Sequence, residues 1–267
     1  MEDSKYFKWI NPEFNLESEI GWSCPTCNFN SLKIDKEKFI SEETIESERE
    51  HQDINWETCW IRYNFIGILR CSNEKCKSII TFSGYGGVEE HIFHNRQGET
   101  ESIEYCEYYV PQYFNPTPLA FKLAVNCPEK VKQELIKAFS LYWIDISASA
   151  NRLRTSIELM MDYHKIPKVK LTKKKKRVKL TLHERIELFG KKEPNISDFL
   201  LAIKWIGNSG SHSIDTLTKQ DLVDAFKILD FTFEKIYSDR EKMVSLIVKS
   251  INKTKKPRSA VSKKLLF

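Results

Sequence analysis

Four cysteines constrain the fold of this chain more than any other feature: Cys24-Pro-Thr-Cys27 and Cys71-Ser-Asn-Glu-Lys-Cys76. Each pair places two thiolates on a tight turn, and two such turns brought together make the tetrahedral sulfur set that zinc takes. The pairs are separated by 43 residues, a gap that a hairpin carrying an insertion can close. Residues 59–70 (CWIRYNFIGILR) are aromatic and β-branched, as strands are. Lys77 to Phe82 repeats the pattern, and a third strand is expected over 102–110. Ser83 to Gly87 reads as a turn. The prediction is a small zinc-ribbon-like β domain over residues 1–110, with structural Zn on Cys24, Cys27, Cys71 and Cys76. Four thiolates complete the coordination, so no open position is left for metal catalysis. No βαβ pattern surrounds Cys24 and Cys27, which argues against a redox pair. Residues 1–20 read as an irregular arm and the acidic 35–58 as a helix or exposed insertion. Cys59, Cys106 and Cys127 are assigned to packing.

Pro111, Pro116 and Pro118 mark a linker over 111–127. Beyond it the apolar period becomes helical. Pro128 suits the first position of a helix, and Val131, Leu135 and Phe139 share one face. In a longer helix, 142–164, Ile146, Ala150, Leu153, Ile157 and Met160 recur at spacings of four, three, four and three. Pro167 ends it, and 168–180 reads as a charged loop. A short helix over Leu182–Phe189 stops at Gly190. The next is capped by Asn195 or Ser197 and runs through Phe199, Ile203 and Ile206. Thr218 and Asp221 form a capping box for a last helix carrying Leu222, Ala225, Leu229, Phe233 and Ile236. The fold class expected is α+β, the β domain followed by an all-α bundle over 128–250 and a basic tail over 251–267.

Charge is divided as sharply as periodicity. Residues 1–110 carry 11 Lys and Arg against 21 Asp and Glu, and residues 111–267 carry 31 against 16. The nets of −10 and +15 together make the chain's +5. A basic half favours polyanions, and Lys173, Lys174, Lys175, Lys176 and Arg177 form five consecutive cations. Such contacts are phosphate-based and salt-sensitive. A solvated lysine loop fits the same residues. The start, MEDSKYFKWI, is acidic and has no leader pattern, and no apolar run approaches membrane-spanning length. A cytoplasmic protein with no membrane contact is expected.

Asn151-Arg-Leu-Arg154-Thr-Ser-Ile-Glu158 and Ile203-Lys-Trp-Ile-Gly207-Asn208-Ser-Gly-Ser-His212, taken with the cysteine pairs, carry a resemblance. Over roughly residues 20–240 the chain resembles the prokaryotic family called domain of unknown function 4145. There an Arg-x-x-x-Glu helix precedes a segment ending Gly-Asn-x-x-x-His. The resemblance implies a HEPN-like bundle, a homodimer, and a setting in phage defence or a toxin–antitoxin-like system. Many HEPN proteins cut RNA without metal, through an Arg that binds the scissile phosphate and a His that moves a proton. Asn208 and His212 match the polar residue and the histidine of that motif, but Gly207 stands where the arginine belongs. Lys204, Arg152 and Arg154 are the cations that could substitute. Arg154 and Glu158, four apart, equally suit a structural ion pair. Three readings follow. The first is a nucleic-acid-associated binding module that contacts RNA or another polyanion through Lys173–Arg177 and Arg152. The second is a metal-independent ribonuclease using His212, Asn208, Lys204 and Arg154. The third is an adaptor whose acidic half docks an operon-encoded partner enzyme.

Overall fold

The computed structural model describes residues 4–29, 32–94, 100–172, 175–191, 193–212, 217–238 and 240–255; the side chains of residues 4, 5, 7, 94, 101, 209–212 and 240–242 fall outside that description. After a short helix α1 (Ser4–Ile10), five strands build one antiparallel sheet: β1 (Leu32–Ile34), β2 (Ile40–Glu43), β3 (Arg62–Cys71), β4 (Ile79–His94) and β5 (Thr100–Asn115). The order is β1-β3-β4-β5, and β2 pairs with β3 along the same edge as β1. β1 follows the first cysteine pair, β3 runs into Cys71 and β4 leaves Cys76. β3, β4 and β5 fall where strands are expected, over 59–70, 77–82 and 102–110. The acidic stretch between the pairs supplies β2 and a six-residue helix α2 (Ile45–Glu50), whose N-cap Thr44 accepts from the Ser47 N–H.

The sheet curls round an aromatic interior. Phe39 stacks on Phe65 at 5.1 Å and meets Tyr109 edge-on at 4.8 Å, and Phe14 lies 5.7 Å from Phe65. Phe14 also closes the outer edge of β5, exchanging both backbone hydrogen bonds with Tyr109. The glycine run expected to turn instead lies inside β4. A Cβ on Gly84 would sit 2.1 Å from the Val110 carbonyl oxygen, and one on Gly86 2.4 Å from that of Tyr108. Glycine serves here for close approach of two strands, not for a reversal. The register shifts between Ser83 and Gly84, opposite Pro111, where a residue without an N–H is tolerated. The span read as a linker holds the end of β5 and then a buried segment, Thr117–Phe121.

The helical half contains α3 (Glu129–Leu141), α4 (Ile146–Tyr163), α5 (Leu182–Gly190), α6 (Pro194–His212), α7 (Lys219–Tyr237) and α8 (Arg240–Thr254). α4 is central. Ala150, Leu153, Ile157 and Met160 are fully buried as the period predicts, and Ser149 donates to the Ala138 carbonyl across the gap to α3. α5 and α7 begin with capping boxes, Thr181/Glu184 and Thr218/Asp221. Four expectations are refined or corrected. The "arm" at the N-terminus holds α1, docked against α7 through Tyr6, whose hydroxyl reaches Asp230 at 3.4 Å. The "charged loop" contains a two-stranded ribbon, β6 (Val169–Leu171) and β7 (Arg177–Lys179). Gly190 ends α5 without a left-handed turn; a Cβ there would press within 2.6 Å of the Ser197 Cβ. Neither Asn195 nor Ser197 caps α6, which already begins at Pro194.

The halves share one buried cluster. Trp143, between α3 and α4, touches Phe114 of β5 at 4.8 Å, Trp22 at 5.6 Å and Trp9 of α1 at 4.8 Å. Among the described residues, no helix is long and apolar enough to cross a membrane.

Candidate metal centre and the cationic helical cleft

The two cysteine turns are built alike. In the first, the Cys24 carbonyl accepts from the Asn28 N–H at 2.8 Å; in the second, the Asn73 carbonyl accepts from the N–H groups of Cys76 and Lys77 at 2.8 and 3.0 Å. The residue after each second cysteine is left-handed, Asn28 at φ 59° and Lys77 at φ 52°. That reversal turns both sulfurs of a pair the same way. Asn tolerates it readily; Lys does so against a local cost. Ser78 and Thr26 join the two turns by a hydroxyl hydrogen bond of 2.8 Å.

The four sulfur atoms all lie within 4.8 Å of one another. Cys24 and Cys76 are 3.8 Å apart, and Cys27 and Cys71 are 3.6 Å apart. Cys24 and Cys71 are buried, the other two half-buried. The set could hold one metal ion with four sulfur ligands. Of the remaining cysteines, Cys127 is buried as expected, but Cys59 and Cys106 are exposed and do no packing.

The helical candidates fall into two groups. Arg154 of α4 donates from Nη1 to the Asn208 side-chain oxygen at 2.8 Å, and its Nε lies 3.5 Å from a Glu158 carboxylate oxygen. α6 continues past Asn208 to His212, so Lys204, Asn208 and His212 lie on successive turns of one helix. The His212 side chain lies outside the described residues. Gly207 explains the absent arginine: a Cβ there would meet the Arg154 Cβ at 3.0 Å and the Ala150 carbonyl oxygen at 3.2 Å. α6 packs on α4 at this glycine, and a side chain there would need Arg154 or the α4 backbone to give by a few tenths of an ångström. Arg152 is not part of this group. Two residues from Arg154, it turns to α3 and pairs with Glu134 at 3.2 Å. Lys204 is buried and places its ammonium 3.4 Å from the centre of the exposed Trp205 ring.

The other group is the ribbon. Lys170 is paired with Glu184, and Lys168 with Asp162. Among the described residues, Lys175, Lys176, Arg177 and Lys179 form no ion pair, and all four are exposed. Lys173 and Lys174 lie outside the described residues. Sequence reading singled out the run up to Arg177 but not Lys179, whose position opposite Val169 depends on ribbon register.

Residues 136–256 match the family model of a domain of unknown function, DUF4145. The helical half belongs to the DUF4145 family. Residues 12–114 match a second domain of unknown function, DUF8608. The resemblance over 20–240 therefore divides. The cysteine pairs fall in the DUF8608 match and the Arg154 and Asn208 segments in the DUF4145 match. No curated protein and no solved structure matches the chain.

Proposed function

We propose that this protein is a zinc-stabilised nucleic-acid-binding module, with the β6–β7 ribbon of its DUF4145 domain as the contact element. The observation that carries the reading is the set of four exposed cations, Lys175, Lys176, Arg177 and Lys179, which have no carboxylate partner among the described residues. Several neighbouring cations are paired instead: Arg152 with Glu134, Arg185 and Lys168 with Asp162, and Lys170 with Glu184. Unpaired cations on a narrow two-stranded ribbon suit a groove lined with phosphates. Zinc is favoured at the cysteine centre because a tetrahedron of ~2.3 Å zinc–sulfur bonds has edges of about 3.8 Å. Two of the six sulfur–sulfur distances, 3.8 and 3.6 Å, fit that figure, and all six lie within 4.8 Å. With four sulfurs bound, the ion holds the sheet and performs no chemistry.

Replacing Lys175, Lys176 and Arg177 together by serine tests the ribbon. Each phosphate contact contributes about 0.7–0.9 to the slope of log affinity against log salt. The triple variant is expected to flatten that slope by about 2 to 3 and to bind RNA more than tenfold more weakly at low salt. A slope equal to that of the unaltered protein rejects the ribbon as the contact.

A second reading has one observation in its favour. Arg154 reaches Asn208 from α4, restoring a guanidinium beside the residue that Gly207 leaves without one, a turn before His212. In a HEPN-like ribonuclease Arg154 would hold the phosphate and His212 would move the proton. Incubation with total RNA decides: cleavage lost in both His212→Ala and Arg154→Ala supports it, and RNA patterns identical with and without the protein remove it.

A further inference from the structure

Behind the ribbon lies a cavity of about 450 Å³ between β7, α4 and α5. Its walls carry Arg154, Lys168, Lys179 and Arg185 against only two carboxylates, Glu158 and Asp162. Arg185 is the unusual member. It is 94% buried, its relative exposure being 6%. Its Nη2 donates to Asp162 at 2.6 Å and to the Ile166 carbonyl at 3.1 Å, yet its buried Nε has no acceptor among the described residues. A buried guanidinium N–H that donates to nothing carries a desolvation cost of a kind native proteins rarely leave unmet. Asp162 is fully engaged: burial alone would raise its carboxyl, but Lys168 and Arg185 outweigh burial and hold it below the ordinary carboxylate range. It therefore stays charged, and the wall retains an excess of two positive charges. Lys179 lines the cavity with no ion pair of its own among the described residues.

We infer that this cavity binds a phosphate monoester, as the end of a nucleic-acid strand or a free mononucleotide. A monoester near neutral pH carries about −1.5 to −2 charges, which the two-charge excess matches and a diester's single charge does not. Both the Arg185 guanidinium and the Lys179 side chain line the cavity, and guanidinium forks suit phosphate geometry. The volume lies within the usual range of small-ligand sites, about 300–1,000 Å³. The inference extends the polyanion reading: the ribbon would grip the strand and the cavity would receive its end.

The test uses the full chain and short 2′-deoxy oligonucleotides, which a ribonuclease cannot cut, carrying a 5′-phosphate, a 3′-phosphate or neither. Free nucleoside monophosphate and nucleoside serve as competitors. A terminal phosphate is expected to tighten binding about tenfold or more. Lys179→Gln and Arg185→Gln are each expected to reduce that preference to about twofold or less. Should Arg185→Gln fail to fold, the exposed Lys179 variant decides. Competition by the monophosphate but not the nucleoside, without an end preference, assigns the site to free nucleotides. Equal affinity for all three oligonucleotides with no competition by the monophosphate overturns the inference, as does full preference retained in Lys179→Gln. The Lys175/Lys176/Arg177 triple variant keeps the two ideas apart: its salt slope should flatten by about 2 to 3 while it still distinguishes phosphate from hydroxyl ends.

Discussion

Cys71→Ser is expected to strip the metal and cost on the order of 5 kcal/mol or more in stability, a fall in melting temperature of roughly 10–20 °C for a chain of this size. Cys71 is the last residue of β3. Its N–H donates to the Ser78 carbonyl at 2.9 Å, its backbone pairs with Leu32, and its sulfur is buried 3.6 Å from that of Cys27. A serine oxygen there is a poor ligand, and three remaining thiolates do not close a tetrahedral site. The other consequence is mechanical. The centre ties the loop before β1 to the turn between β3 and β4, so without the ion the sheet keeps its aromatic interior but loses the clamp at one end. Elemental analysis should find one zinc per chain in the native protein and under a tenth of that in the variant. A strong chelator should reproduce the melting change without any mutation. If the native protein contains no metal and melts identically with and without chelator, the four thiols do not form a metal centre.

The cysteine centre was legible because tetrahedral chemistry leaves a spacing pattern that survives any fold built around it. The capping box at Thr218, and the buried stripe of α4, were legible for a similar reason: each follows from interactions within three or four residues. What failed was whatever depends on a partner far along the chain. Ser83–Gly87 has turn composition, yet its glycines answer to the carbonyls of Tyr108 and Val110 across the β4–β5 pairing. Gly207 looked like damage to a motif, yet it lies in close contact with the Arg154 Cβ and the Ala150 carbonyl of another helix. The ribbon hid in a lysine run because cations mask the short alternation at Val169, Leu171 and Val178, three apolar residues left exposed. α8 was missed for a related reason. Val244, Ile247, Val248 and Ile251 do recur at helical spacing, but each is more than a third exposed, and flanking cations give the stretch the look of a basic tail. Arg152 and Arg154 could not be told apart in sequence, although opposite directions on α4 send one to Glu134 and the other to Asn208.

Trp9→Ala should destabilise the whole chain by about 3–5 kcal/mol, the usual cost of deleting a buried tryptophan. A seven-residue helix has no stability of its own, so α1 exists through what Trp9 packs against. Its ring is 2% exposed and meets Trp143 at 4.8 Å, Tyr142 at 5.1 Å, Phe226 at 5.7 Å and Phe139 at 6.2 Å. The Tyr142 hydroxyl donates to the Trp9 carbonyl, and burial raises that phenol well above its ordinary range, so the donor proton stays in place at any working pH. The Trp22 indole donates to the Lys8 carbonyl at 3.1 Å, tying α1 to the approach to the cysteine turns. Trp143 in turn packs on Phe114 of the sheet. Loss of the Trp9 ring opens a cavity where both halves meet, so urea denaturation followed by sheet and helix signals should show both shifting to lower midpoint together. Trp9→Phe, which keeps an aromatic ring in the same slot, should recover more than half of the loss. If the alanine variant costs less than about 1 kcal/mol, or if the helical signal alone shifts, α1 does not bind the two family domains into one cooperative unit.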